Sequence, residues 1–251
     1  MRISRRIVIT IIAAAATAIS CGAVSFVDKS RSEEPIKIEA HLNIGLSSLS
    51  QNYAKVNPDI LELNFRPGTM FGAGVLVEFP LRDFLSLGTG TDINICNSRY
   101  TAIVFSSDPD VTGYAAVRNR YIYASFPVYM SVGFNISDNV RWHVDGGIYY
   151  AYGFGGFSKT SVYTTHENEL GQIVTEHHEG KGKYFNDHHA LMHRTGHSDI
   201  GLHFATGFVF DNHYHISLGY RHGLRDIARN DGPSDPKAFN AIATLSIGYK
   251  F

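Results

Sequence analysis

Histidines are the residues of this sequence whose spacing most suggests chemistry. Seven of the thirteen lie between residues 155 and 197, and three of these, His189, His193 and His197, are four residues apart. On a helix that spacing stacks side chains on one face, and neutral imidazoles are common Zn²⁺ and Cu²⁺ ligands. The three histidines are therefore a candidate Zn or Cu site. No other cofactor is indicated. Because Gly196 weakens a helix and no Cys accompanies them, a solvated loop is the alternative.

A second candidate is His215 with Ser217, which resembles the His-x-Ser pair of lipid A deacylases. A serine nucleophile needs an adjacent base and a third group to orient that base. Asp145 or Glu78 could orient His215, but the Asn that follows in the deacylase motif is missing. We therefore expect His215 to belong to a buried polar network, and we expect the protein not to be an enzyme.

The element that would carry these residues is clearest at the end of the chain, in Ala241–Phe251. Apolar residues occupy every second position there, with Thr244, Ser246, Gly248 and Lys250 between them and Ile242 as the one apolar exception. Strict alternation predicts a β-strand, because successive side chains point to opposite faces. About 9–11 residues suffice for a tilted strand to cross a bilayer. The segment thus predicts a membrane-spanning strand with Ser246 and Lys250 facing inward.

The same alternation recurs along the chain and predicts eight strands. They are residues 36–47, Thr69–Phe79, Phe84–Cys96, Arg118–Phe134, Val140–Phe154, Asp199–Phe210, Tyr214–Leu224 and Ala241–Phe251. Three connections are short, at 80–83, 135–139 and 211–213, and four are long, including a polar His-rich insertion at about 155–197. Short turns at one rim and long loops at the other are typical of outer-membrane barrels. We therefore predict an all-β, eight-stranded antiparallel up-and-down transmembrane β-barrel with short periplasmic turns and long outer loops.

The two faces of these strands differ in composition. One face is apolar, with aromatic residues near both strand ends, and the other is rich in Gly and Ser. Aromatic girdles and a crowded small-residue interior favour lipid outside, whereas a secreted lipocalin would be apolar inside. With lipid outside, the interior would hold Lys37, Glu39, His41, Glu78, Asp92, Arg141, His143, Asp145, His203, His215 and Arg221. Side chains roughly fill an eight-stranded barrel, so we expect a structural plug and not a porin channel.

The amino terminus has the three-part layout of a secretory signal peptide. Arginines precede an uncharged run from Ile7 to Ile19, and small residues follow. The expected organisation is a signal peptide at 1–25, a periplasmic linker at 26–35 and a barrel at 36–251. Two alternatives remain open: a membrane anchor, and a lipoprotein signal in which Cys21 accepts lipid.

Global composition excludes some classes of function. A net charge of −1 does not indicate a nucleic-acid partner, and two cysteines make a disulfide framework improbable.

The strand segments also carry a family resemblance. The chain resembles the PorT-like outer-membrane β-barrel proteins of Bacteroidota. The matching segments are F-P-V-Y-M-S-V-G-F at 126–134, V-D-G-G-I-Y-Y-A-Y-G at 144–153, D-I-G-L-H-F-A-T-G-F-V-F at 199–210, I-S-L-G-Y-R-H-G-L-R-D-I at 216–227 and L-S-I-G-Y-K-F at 245–251.

This resemblance implies a non-enzymatic barrel in the outer membrane. Its expected partners are outer-membrane lipid, the barrel-assembly machinery, which would bind the chain end at Phe251, and other envelope proteins. The founding member takes part in protein secretion, so a link to secretion is implied by analogy alone. The long His-rich insertion is not a feature of the family pattern, and its role stays open.

Overall fold

The structure, a computed structural model, describes residues 35–52, 55, 60–105, 112–167, 172–185, 194–229 and 237–251. The predicted signal peptide and nearly all of the linker lie outside these ranges. Eleven strands form within them. They are β1 (Lys37–Gln51), β2 (Ile60–Arg82), β3 (Leu85–Phe105), β4 (Thr112–Ser137), β5 (Val140–Glu167), β6 (Ile173–Lys183), β7 (Arg194–Thr195), β8 (Ser198–Phe210), β9 (Tyr214–Gly223), β10 (Ala228–Arg229) and β11 (Ala238–Lys250). The described part of the chain contains no helix long and apolar enough to span a bilayer.

Nine of these strands form one antiparallel sheet in the order β4-β3-β2-β1-β11-β9-β8-β5-β6, and β4 also pairs with β5. Strand β5 has three partners, because β8 pairs with its first half and β6 with its second, while β4 follows most of its length. β7 and β10 form a separate two-stranded sheet. Each predicted strand coincides with one strand of the large sheet, and β6 is a ninth that alternation does not predict.

The two faces of the sheet are polarised as predicted. Leu42, Ile148 and Leu218 are 69%, 57% and 62% exposed. On the opposite face, Glu39 and Asp92 are 2% and 0% exposed. The polar face is thus the buried one, the reverse of the lipocalin arrangement.

The strands on the long-loop side extend well beyond the predicted bounds. The insertion at 155–196, expected to be a loop, continues β5 to Glu167 and then forms β6. Likewise β2 begins at Ile60, nine residues before the predicted start of that strand at Thr69. Strand β6, with the sequence IVTEHHEGKGK, is exposed along most of its length. Because water contacts both faces of such a segment, neither face needs to be apolar, and the period-two pattern that identifies strands disappears.

The short connections lie at the predicted positions. The turn between β8 and β9 is the clearest, because Asp211 and Asn212 adopt φ values of 49° and 59°. Asp and Asn tolerate this left-handed conformation, and the amide of His213 donates to the carbonyl oxygen of Phe210 at 3.0 Å to close the turn around them. Local turn chemistry therefore sets the short-turn rim of the sheet.

Candidate functional site

Polar and charged side chains from seven strands meet on the buried face of the sheet. Alternate residues of a strand share a face, so each strand supplies side chains two residues apart. We call the following set the buried network: Glu39, His41 and Asn43 of β1, Glu78 of β2, Asp92 of β3, His143 and Asp145 of β5, His203 of β8, His215, Ser217 and Arg221 of β9, and Lys250 of β11. The sequence pattern places all of them on the inward face.

Two histidines in this network link two carboxylates in a continuous hydrogen-bonded chain. Nδ1 of His215 lies 2.6 Å from Oε1 of Glu39, and Nδ1 of His143 lies 2.9 Å from Oδ1 of Asp145. The Nε2 atoms of the two histidines are 2.8 Å apart. The two imidazoles therefore connect Glu39 of β1 with Asp145 of β5 through three successive hydrogen bonds.

Asp92 is the most deeply buried carboxylate of the network. Its Oδ1 lies 2.6 Å from Nε2 of His41 and accepts a hydrogen bond from Nδ2 of Asn43 at 3.3 Å. Its Oδ2 accepts from Nη2 of Arg221, whose Nε in turn donates to Nδ1 of His203 at 3.3 Å. A buried carboxylate is tolerated only when it is paired and hydrogen-bonded. Asp92 meets both conditions.

Lys250 completes the network at the end of the chain. Its Nζ donates to both carboxylate oxygens of Glu78 at 2.9 Å and lies 3.7 Å from Oε2 of Glu39. In the β1–β11 pairing, Lys250 stands directly opposite Glu39. The inward orientation predicted for Lys250 is confirmed, since the residue is 6% exposed. Lys37 and Arg141 line the same cavity as Glu78 and Lys250, so two further permanent cations accompany the carboxylates of the network.

A glycine leaves the space in which the side chains of His41 and Asp92 meet. Gly74 of β2 lies between them in register, opposite His41 on one side and Asp92 on the other. A Cβ at this position would meet Oδ1 of Asp92 and come within 2.7 Å of Nε2 of His41. Gly74 thus permits the close approach of the two side chains, one of the roles that glycine takes inside strands.

The space inside the network is small. One cavity of about 40 Å³ lies among Glu39, Asp92 and their neighbours, and another of about 30 Å³ lies near Glu78 and Lys250. A buried water needs on the order of 10–15 Å³ on this measure. Each of these two cavities has room for a few water molecules and is too small for a larger solute.

An aromatic layer covers the network on the side of the long connections. Tyr121 stacks on Tyr184 with ring centroids 4.2 Å apart, and Tyr123 meets the edge of Phe185 at 5.6 Å. Tyr184 and Phe185 belong to the insertion predicted to be a solvated loop, yet both are buried. Two adjacent aromatic residues in an otherwise polar stretch are the sequence feature that marks them. Together the layer and the network fill the buried face.

The candidate metal ligands are only partly described. His189 and His193 lie outside the described residues. Nδ1 of His197 lies 2.7 Å from the carbonyl oxygen of Gly153, and the imidazole ring stacks between the rings of Tyr152 and Phe185. Within the described ranges, no group of three His, Cys, Asp or Glu side chains is arranged to hold a metal ion. Metal binding by the three histidines stays a prediction, which calorimetry with Zn²⁺ on wild type and on the triple His→Ala variant would test.

The candidate nucleophile Ser217 lies with His215 inside the network. Both side chains are buried, and both ring nitrogens of His215 are engaged, by Glu39 and by His143. The geometry therefore places His215 in the hydrogen-bonded chain of the buried network, as the sequence predicts.

Comparison with known proteins supplies the family. A model of the family described as "Outer membrane protein beta-barrel domain" matches residues 28–229. No curated protein sequence matches the chain.

Solved structures with a similar strand arrangement are distant in sequence. Ail, the attachment invasion locus protein of Yersinia pestis, is 12% identical with a TM-score of 0.37, and the alignment covers 87% of this chain and 100% of Ail. OprG of Pseudomonas aeruginosa is 10% identical with a TM-score of 0.38, over 86% of this chain and 95% of OprG. Neisserial surface protein A is 13% identical with a TM-score of 0.34, over 87% and 100%. Because the family model matches most of the chain, this chain is an outer-membrane protein that belongs to the outer membrane protein β-barrel domain family.

Proposed function

We propose that the chain is a closed, eight-stranded up-and-down barrel in the outer membrane, with β6 added outside the closed part. Strand pairing supports this arrangement. The order runs from β4 through β3, β2, β1, β11, β9 and β8 to β5, and the pairing of β5 with β4 completes a cycle of eight. β6 pairs only with the second half of β5 among the described strands. Full closure removes the exposed edges that an open sheet would leave in lipid.

The function that follows is that of a non-enzymatic structural or interaction component of the cell envelope. The filled core is the observation that carries this proposal, because the two cavities found among the described residues of the network have volumes of only about 40 and 30 Å³. Work done by such a barrel falls to the surface beyond the membrane, where β2 to β6 extend the sheet. Membership of the PorT-like group, and with it a link to protein secretion, is part of the proposal and rests on the segments of residues 126–153 and 199–251.

Membrane fractionation with a heat-modifiability gel shift tests the barrel, and a liposome-swelling assay tests the filled core. We expect the protein in the outer-membrane fraction, with a mobility shift on boiling and with sugar permeation no faster than in protein-free liposomes. An open porin of known size is the positive control. A soluble protein without a shift would contradict the barrel, and sugar permeation would contradict the filled core.

A further inference from the structure

Beyond the apolar band, the register of the extended sheet aligns five cations in one row. Arg66 of β2 pairs with Arg99 of β3, Arg99 with Arg118 of β4, Arg118 with Lys159 of β5, and Lys159 with Lys181 of β6. Directly opposed residues of an antiparallel sheet point to the same face, and all five are exposed. We call this row the basic belt. The five residues are scattered over more than a hundred positions of the chain, so only the pairing brings them together.

This arrangement is unfavourable for the protein by itself. Opposed side chains of neighbouring strands have Cβ atoms about 4.5–5.5 Å apart, and like charges at that distance are destabilising. The belt contains four such contacts in succession. Within the described part of the chain, Arg66, Arg99, Arg118 and Lys159 form no ion pair. Bound anions would remove the repulsion.

Neighbouring rows add cations and one aromatic ring. The next row lies two residues from the belt on the side of the membrane. In it, Arg120 and Lys183 flank Phe157, which is 37% exposed. The Nζ of Lys181 lies 5.4 Å from the centre of the Phe157 ring. On β6, Glu179 lies two residues beyond Lys181 on the side away from the membrane, and its Oε1 is 3.8 Å from Nε2 of His177. Positive charge therefore dominates the side of the belt that faces the membrane.

The belt lies just above the apolar band. Ile95 and Ile122 oppose each other as the apolar pair of β3 and β4 nearest to the belt on its short-turn side, and Arg99 and Arg118 lie four residues further along their strands. Four residues span about 13 Å along a strand, or about 9 Å along the membrane normal at a tilt near 45°. A bilayer has roughly 5–8 Å of polar headgroup region on each side of a core about 30 Å thick. The belt thus stands at the outer edge of the headgroup layer.

We propose that the basic belt binds the phosphate groups of an anionic lipid in the outer leaflet. Arginine forms bidentate, charge-assisted hydrogen bonds with phosphate, and lysine adds point charges. The lipid's acyl chains would lie against the apolar side chains directly below. This continuity of charge with apolar surface favours a lipid over a soluble polyanion, which would use the cations alone. The proposal rests on the proposed function, since the exposed face must lie in a bilayer with the long-loop side outward.

The test compares two variants that each lose two charges. Arg118→Gln/Lys159→Gln removes the centre of the belt, and Arg225→Gln/Lys237→Gln removes two exposed cations outside it. Each protein is reconstituted in neutral phospholipid nanodiscs and titrated with lipid A carrying two phosphates, with dephosphorylated lipid A, and with soluble polyphosphate, using native mass spectrometry. A cation near an anionic membrane surface contributes a factor of about five. We therefore expect the belt variant to bind lipid A about thirtyfold more weakly and the control variant to bind it like wild type.

The titrations with dephosphorylated lipid A and with polyphosphate show whether binding depends on the phosphates and on the acyl chains. Dephosphorylated lipid A should bind all three proteins equally and weakly, and raised salt should weaken only the binding of the phosphorylated form. Equal binding of lipid A by both variants would overturn the proposal, and so would polyphosphate binding as tight as that of lipid A. Each sample is first checked by heat-modifiability. If the wild-type protein fails to insert, the proposed barrel is contradicted. If it inserts but binds phosphorylated and dephosphorylated lipid A equally, only the proposed phosphate binding by the basic belt is contradicted.

Discussion

Replacing Arg221 with Met is expected to lower the free energy of unfolding by about 3–5 kcal/mol, because a buried carboxylate loses its charged partner. Asp92 is fully buried, and Arg221 is the permanent cation bonded to it. Methionine keeps much of the arginine's volume without its charge. Urea titration of the protein refolded in phospholipid vesicles measures the change as a shift of the unfolding midpoint.

The double variant Asp92→Asn/Arg221→Met provides the control. Asparagine removes the charge that the missing arginine would have balanced, so we expect the double variant to regain most of the lost stability. Non-additivity of this kind is typical of residues in direct contact. If the double variant were as unstable as the sum of the two single variants, the pairing of Arg221 with Asp92 would not be what stabilises this part of the core.

Replacing Gly74 with Val should destabilise the barrel by about 3 kcal/mol, since overpacking alone costs about 1–3 kcal/mol and the His41–Asp92 contact is lost as well. A single methyl group at Gly74 would already lie 2.7 Å from Nε2 of His41. The measurement is the same urea titration. Should the Val variant fail to fold, Gly74→Ala applies the same test with a smaller side chain.

Gly146 of β5 offers a matched control. Nothing lies within 4 Å of a Cβ built there, and the position is on the exposed face. Valine is favoured in strands, so Gly146→Val should change the unfolding free energy by less than about 1 kcal/mol. A similar loss in both variants would mean that glycine flexibility, and not the space between His41 and Asp92, is what matters at Gly74.

The contrast between β11 and β6 explains which strands the sequence pattern can predict. From Ala243 onward β11 alternates strictly, because lipid and a polar interior demand opposite side chains on its two faces, so the pattern alone predicts the strand and the inward Lys250. β6 has water on both sides, and its Gly, Glu and His residues carry no such pattern. Its strand character depends on pairing with the second half of β5, which no local property of the segment reveals.

The sequence by itself determined eight of the nine strands of the large sheet and which of their charged residues are buried, because each depends on neighbouring residues or on a period of two. Only the tertiary structure decided the partners within that set: His215 with Glu39 across 176 positions, or Arg221 with Asp92 across 129. The same holds for the burial of Tyr184 and Phe185 and for the row of five cations. These features follow from the register between strands, which depends on all the strand pairings together and not on any one segment.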